Sequence, residues 1–366
     1  MTLASPTIQL PATAPAHDDA PLAIGVLRGK HALDRIGQWQ AELGPADHPA
    51  HDLRWLAALS RGQGHTPLVI EARDANRLTG LLPLALVQSP WFGKFLVSLP
   101  YVNSAGPLPA GTSAEQALID RAVQLADELN VRYLELRGEH EIAHSTLGEM
   151  NTSKVHMRLA LPATSDSLLA GFKSKLRSQI KGALKHDFQV AWGGRELLGD
   201  YHGVFARNMR DLGTPVYPRG FFAAILEAFP LHAELCVVRL AGQPAAAALL
   251  VHGQSVTEVP SASSLRSLNS TGVNMVLYWR LLSRAIERGQ ATFDFGRSTE
   301  GGGTYKFKQQ WGAQPTPAVW QYYVRQGSAH AMRPENGTFG LAIRLWQKLP
   351  LWIANAAGPS IVRGIP

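Results

Sequence analysis

Two apolar runs, Leu68 to Ala72 and Leu78 to Val87, flank the turn-forming residues Asp74, Ala75 and Asn76, and read as a β-hairpin. Pro83 inside the second run favours an edge or a bulge there. Phe95 to Val102 is a further strand candidate, followed by a Gly/Pro loop over Asn103 to Gly111. Ser113 to Leu129 carries Leu118, Ala122, Leu125 and Leu129 at helical spacing and leads into a strand over Arg132 to Leu136. The same order recurs: a hairpin of Leu235 to Leu240 and Ala245 to Val251, a strand over Ser255 to Pro260, a helix over Asn274 to Arg288, and a strand over Ala291 to Phe295. YLELRG from Tyr133 and TFDFGR from Thr292 therefore hold the same place in two halves, as in a duplicated unit. Periodicity alone supports a mixed α/β chain with a duplication.

Ahead of the first hairpin, His31 to Leu43 and Asp52 to Leu59 read as short helices, Asp52 serving as an N-cap. Between the halves, Phe172, Leu176, Ile180, Leu184 and Phe188 form an apolar stripe along a helix expected over Ser167 to Phe188. Lys173, Arg177, Lys181 and Lys185 form a basic stripe beside it. Like charges at i, i+4 oppose an isolated helix by ~0.2–0.5 kcal/mol per pair, about 1 kcal/mol for the three pairs, a cost that an anionic ligand would reverse. The stripe fits contact with a ligand or nucleic acid, or a solvated face. Tyr201 to Asp211 continues as helix and breaks at Gly213, where Thr214, Pro215, Tyr217 and Pro218 make a stiff loop.

The 366 residues suffice for two cores, and 45% hydrophobic with 17% charged residues is a globular composition. A net charge of +7 points to anionic partners: nucleic acid, nucleotide-linked or phosphorylated substrates, or an anionic membrane surface. The single cysteine, Cys236, excludes an intramolecular disulfide and a Cys-rich zinc site; in the run LCVV it reads as a small buried hydrophobe. The Pro/Ala/Thr-rich first 20 residues lack the pattern of an export signal and read as a disordered leader of a cytoplasmic protein. Phe339 to Ala356 is apolar but too short and too interrupted, by Pro350, to span a bilayer. It reads as a peripheral amphipathic tail, dispensable for the core, that lies on an inner membrane face or on the protein itself.

The richest stretch for chemistry is FDFGRSTEGGGTYKFKQQWG, Phe293 to Gly312. Phe293 and Phe295 share one face of a strand, so Asp294 points to the other. Gly296, Gly301, Gly302 and Gly303 permit positive φ and close approach to a ligand. If Thr304 to Gln310 is a short helix, its N–H groups with Lys306 and Lys308 can face an anion; a solvated basic turn is the other reading. HEIAH, with His140, Glu141 and His144, matches a zinc motif by letter, but Ser145 to Gly148 suggests a loop, and no metal is assigned. There is no GxSxG, so acyl-enzyme chemistry is not indicated.

FDFGRS followed by TYKFKQQWG resembles the segment near the end of FemAB-like proteins, particularly the exosortase (PEP-CTERM)-associated branch, which have tandem GNAT-type (BioF2-like acetyltransferase) units and are related to the aminoacyltransferases of peptidoglycan cross-bridges. The likeness extends over roughly residues 50 to 325 and reappears in LWQKLP and GPSIVRGIP. It implies an α+β fold of two GNAT-like units with mixed sheets flanked by helices: residues 21–165, then 166–325 with the active site, then a tail over 326–366. It also implies acyl or aminoacyl transfer from aminoacyl-tRNA or acyl-CoA to an amine of a nucleotide- or lipid-linked saccharide, a cell-envelope or exopolysaccharide precursor. LNSTGVNM, which offers Asn269, Gly272 and Asn274, is a degraded form of a GNAT pyrophosphate turn. By the resemblance, the loop with Thr214 and Tyr217, and Arg210 ahead of it, lies near the acceptor pocket.

The chemistry that fits is direct attack of an amine on an activated carbonyl. Asp294 and Glu258 are the carboxylates expected to receive or orient the amine proton, and Tyr305 is expected to cap the site or donate to the oxyanion. Arg297, Lys306 and Lys308, with Lys173 and Arg177, are expected to hold phosphate oxygens. An acyl-CoA-dependent N-acyltransferase acting on an amino sugar, and a non-catalytic protein binding RNA or another anion, remain open alternatives.

Overall fold

A computed structural model describes residues 22–109, 111–329 and 340–366. The leader expected over residues 1–20, and Phe339, lie outside them. The first half of the chain runs β1 (Ala23–Arg28), α1 (Lys30–Leu43), α2 (Arg54–Gln63), β2 (Thr66–Asp74), β3 (Arg77–Ser89), β4 (Gly93–Val97), α3 (Ala114–Glu128), β5 (Tyr133–Gly138), β6 (Glu149–Asn151) and β7 (Lys154–Ala160). The second runs α4 (Ser165–Gly171), α5 (Ser174–Ala183), β8 (Phe188–Gly193), α6 (Leu198–Leu212), α7 (Arg219–Ala228), β9 (Ala233–Leu240), β10 (Gln243–His252), β11 (Val256–Ser264), α8 (Val273–Glu287), β12 (Thr292–Thr299), α9 (Gly303–Gln310), β13 (Gln314–Pro317) and β14 (Val319–Val324). Two helices close the chain, α10 (Gly340–Gln347) and α11 (Leu351–Val362).

These strands form two sheets of matching topology, β1-β2-β3-β4-β5-β14-β6 and β8-β9-β10-β11-β12-β7-β13. In each, an antiparallel meander meets one parallel pair, β4 with β5 or β11 with β12, before the ladder turns antiparallel again. The strands at Tyr133 and Thr292 hold equivalent places, as the duplication requires. A cut at residue 165 does not separate the sheets, however: β7 joins the second and β14 the first. This exchange corrects the expected boundary. Its physical basis is that the third-last strand of each sheet, β5 or β12, bonds on its free edge to a strand supplied by the other half.

The exchange is accompanied by a shared core. One cluster joins Trp39, Trp55 and Leu59 of the first unit to Phe205, Phe221, Phe229, Leu249 and Val251 of the second. Fully burying such a side chain contributes roughly 1.5–3 kcal/mol, so the two units stabilise one another. The helix expected over Ser167 to Phe188 is broken. Phe172 adopts extended backbone between α4 and α5, and Phe188 opens β8.

The tail is also more than peripheral. Ala354 is fully buried, and Gly358 packs so closely that a Cβ there would lie 2.6 Å from the Val216 nitrogen. Arg210 Nη1 donates to the Leu349 carbonyl, just ahead of α11, and Tyr101 Oη to the Val362 carbonyl at its end, so the tail ties the two units together. Leu341, Leu345 and Trp352 remain exposed. No helix among the described residues is long and apolar enough to cross a membrane.

Candidate functional site

The two sheets differ from a plain ladder where β11 meets β12. These parallel strands pair only from Val256–Thr292 to Glu258–Asp294, then part. A bulge on each strand turns extra side chains onto the face shared by that last pair. On β11, Val251 opposes Glu258 while Leu249 opposes Ser261, which brings Ser261 onto the face of Glu258. On β12, Asp294 opposes Arg158 while Arg297 opposes His156, which brings Arg297 onto the face of Asp294. Gly296 supplies the bulge at φ 72°, a conformation an L side chain resists.

Asp294 is 1% exposed and fully engaged. Its Oδ2 accepts from His48 Nε2 at 3.0 Å and Arg158 Nε at 2.9 Å, and its Oδ1 accepts from the Gly296 N–H at 2.6 Å. Burial opposes its charge, but His48 and Arg158 hold it well below the usual carboxylate range. Arg158 is completed by both oxygens of Glu139, at 2.8 and 2.5 Å. The Ala50 N–H donates to His48 Nδ1 at 3.1 Å. Burial pulls the His48 pKa down, while Asp294 and Glu258 pull it up to a net rise; the Ala50 bond to Nδ1 sets the tautomer of the neutral ring, with the Nε2–H donated to Asp294.

Glu258 is the opposite case, although it lies beside Asp294 and is only 2% exposed. Asn103 Nδ2 donates to its Oε1 at 2.8 Å, and Oε2 has no hydrogen-bond partner among the described residues. Burial raises its pKa, and the Asp294 charge adds to this against His48 and Asn103. Two adjacent carboxylates with pKa values driven apart is the arrangement by which a site divides a charge-holding role from a proton-accepting one.

The cationic side is formed by Arg297, whose Nε donates to Asn103 Oδ1 at 3.1 Å, so Asn103 bridges Glu258 and Arg297. Arg297 and Arg137 stand over the Trp320 ring, 3.5 and 4.0 Å from its centroid. Burial first, then repulsion from Arg137, lowers the Arg297 pKa to about 9, which leaves it charged at neutral pH. Lys308 Nζ donates to the carbonyls of Gly296 and Arg297 at 3.0 and 2.9 Å and fixes the β12 bulge; burial lowers its pKa to about 8.

A family model described as "Acetyltransferase (GNAT) domain" matches residues 170–309, the greater part of the second unit. The crystal structure of FemX superposes with a TM-score of 0.60 at 15% identity, covering 79% of this chain and 96% of that one. A tandem GNAT protein from the clavulanic acid biosynthesis pathway gives 0.54 at 12% identity, over 84% of this chain and 100% of that one. The fold is a tandem GNAT fold. L-PGS from Bacillus licheniformis shares it, with a TM-score of 0.54 at 12% identity over 86% and 97% of the two chains. No curated protein sequence matches the chain.

Within this tandem GNAT fold, Asp294, Glu258 and Arg297 meet at the parting of β11 and β12, and Lys308 braces it from behind. The other expected residues stand elsewhere. Tyr305 packs against the second unit's own core, and Lys306 is exposed on α9. Lys173 is exposed at the start of α5, and Arg177 Nη1 donates to the carbonyls of Ala170 and Phe172. Arg210 holds Asp211 and the tail, Thr214 is exposed, and Asn274 lies in the first turn of α8. Tyr217 lines an aromatic cavity that reaches β11 at Pro260 to Ser263. His140 and His144 sit in a non-helical loop and face Glu115 and Asp120, at 3.5 and 3.1 Å.

Sequence reasoning missed His48, Asn103 and Arg158, which reach Glu258 and Asp294 from far along the chain. One signal was available. In KVHMRLA, His156 and Arg158 alternate with Val155, Met157 and Leu159, the mark of a strand with a polar face turned inward.

Proposed function

We propose that the protein is an acyl- or aminoacyltransferase that joins an activated carbonyl to an amine of a cell-envelope or exopolysaccharide precursor, with the reaction at the parting of β11 and β12. The observation that carries this is Glu258: a buried carboxyl with a raised pKa and an unengaged Oε2, held at Oε1 by Asn103, which Arg297 in turn fixes. A general base works best when its pKa approaches the operating pH, and burial moves Glu258 that way.

In the step proposed, the amine nitrogen attacks the carbonyl carbon, its proton passes to Glu258 Oε2, and the bond from that carbon to the leaving oxygen or sulfur breaks. Arg297 stabilises negative charge on the carbonyl oxygen, the term of largest effect in many such reactions. Asp294 stays ionised and positions His48 and Arg158 instead of taking a proton, which revises the role expected for it. The donor is aminoacyl-tRNA or acyl-CoA and the acceptor a nucleotide- or lipid-linked saccharide, as the resemblance to FemAB-like proteins implies. Work at the inner face of a membrane, with contact through Leu341, Leu345 and Trp352, fits the exposed apolar residues of α10 and α11.

Radiolabelled aminoacyl-tRNA and acyl-CoA, each offered with amine acceptors, test the reading. Transfer from one of them, lost in Glu258→Gln, supports it and names the donor. No transfer from either, with RNA or another anion retained by the protein, would make it a binding protein on the same fold.

A further inference from the structure

We propose that the cavity between α6, α7 and the outer half of β11 binds a neutral apolar chain, carried by the donor or the acceptor, and presents its head to Glu258. The cavity holds about 330 Å³, at the small end for ligand sites, which suits one chain or ring better than a nucleotide. Its walls come from both units: Trp55 and Tyr101 from the first, Phe205, Tyr217 and Phe221 from the second. The rings brace each other, with centroids 5.3 Å apart for Tyr101–Tyr217 and 5.9 Å for Phe205–Tyr217.

The chemistry of the occupant follows from what lines the space. No acidic, basic or imidazole side chain does. Two of its polar groups are engaged by protein: Asn208 Nδ2 donates to Ser263 Oγ at 3.2 Å, and Tyr101 Oη to the Val362 carbonyl at 3.1 Å. An aromatic cage can also take a cation. Here the charges of Arg137 and Arg297 are felt at Tyr217 and oppose one. Leu212, 49% exposed, forms an apolar rim for entry. Ser261 shares the face of Glu258 through the β11 bulge and lies within about 10 Å of it along the strand.

The choice of a substrate tail as occupant rests on the acyl-transfer reading, but binding can be measured without turnover. Calorimetry on the full chain with straight-chain amides, from N-methylhexanamide to N-methyldodecanamide, should show affinity rising about fourfold per methylene and then levelling off as the cavity fills. Ser261→Phe, which fills the space, and Leu212→Asp, a half-exposed position that should fold normally, should each weaken binding at least about tenfold. Decyltrimethylammonium should bind at least about tenfold more weakly than the amide of equal length. Displacement by decanoyl-CoA would assign the chain to the donor, and by decyl glucosaminide to the acceptor; displacement by neither overturns the proposal. So do absence of saturable binding, equal binding of the cation, or unchanged binding in Leu212→Asp. If the amides bind as expected and no transfer is ever found, the cavity stands and the transferase reading falls.

Discussion

Replacing Asp294 with Asn keeps its shape and removes its charge, and the structure fixes what that does. Three donors converge on the carboxylate, from His48, Arg158 and Gly296. Either orientation of an amide turns its NH₂ group toward at least one of them. Arg158 keeps Glu139, so its charge is not left alone. Leaving a buried donor to face an NH₂ group costs about 1–3 kcal/mol, and urea denaturation at pH 7 should show a loss of that size for each donor so displaced.

The pH dependence has a definite sign. The folded-state pKa of Asp294 lies below its unfolded value of about 3.9. Its contribution is therefore complete above about pH 4 and is lost as pH falls through the folded pKa. The gap between wild type and Asp294→Asn should stay level from pH 7 to about 4 and narrow below that. A gap under about 1 kcal/mol at pH 7, or one that does not narrow in acid, would refute the ionised, triply bonded Asp294.

Burial lowers the pKa values of His51, His65 and His156 to about 4, so each folds neutral; between pH 6.5 and 4 each should cost up to about 1.4 kcal/mol of stability per pH unit, visible as an early acid limb in unfolding that His156→Gln reduces. Lys308→Met removes two bonds to the β12 bulge and should cost about 1–3 kcal/mol, whereas Lys306→Ala, on the exposed face of α9, should change stability by less than about 0.5 kcal/mol. Ending the chain at Pro350 strips Ala354, Gly358 and Val362 from their contacts and should destabilise the fold by more than about 2 kcal/mol; an unchanged unfolding curve would return the tail to the periphery.

Local pattern carried the repeated hairpin, strand, helix and strand, because β2 with β3, β9 with β10, α3 and α8 are built from neighbours in sequence. It placed Asp294 and Glu258 on strands for the same reason, whereas Arg297, beyond the strand expected over Ala291 to Phe295, reaches the Asp294 face only through the bulge at Gly296. What it could not carry is pairing between distant segments. The exchange of β7 and β14 is decided by which free edge each strand meets, and nothing inside KVHMRLA or VWQYYV records that choice. His48 and Asp294 stand 246 residues apart, Asn103 and Glu258 155 apart. Lys308 misled in a different way: its spacing beside Lys306 suggested an anion site, while burial sends its ammonium to two backbone carbonyls.

The central claim is that Glu258 takes the proton of the attacking amine, and the pH profile of Glu258→Gln in the transfer assay tests it most directly. A base must be deprotonated to act, so the wild-type rate should fall as pH drops through the raised Glu258 pKa. In the variant, kcat should fall by about 10²–10⁴ with KM little changed, and that acid limb should disappear. A variant that keeps wild-type kcat, or that loses activity while the acid limb persists, would place the proton on another group and contradict this account.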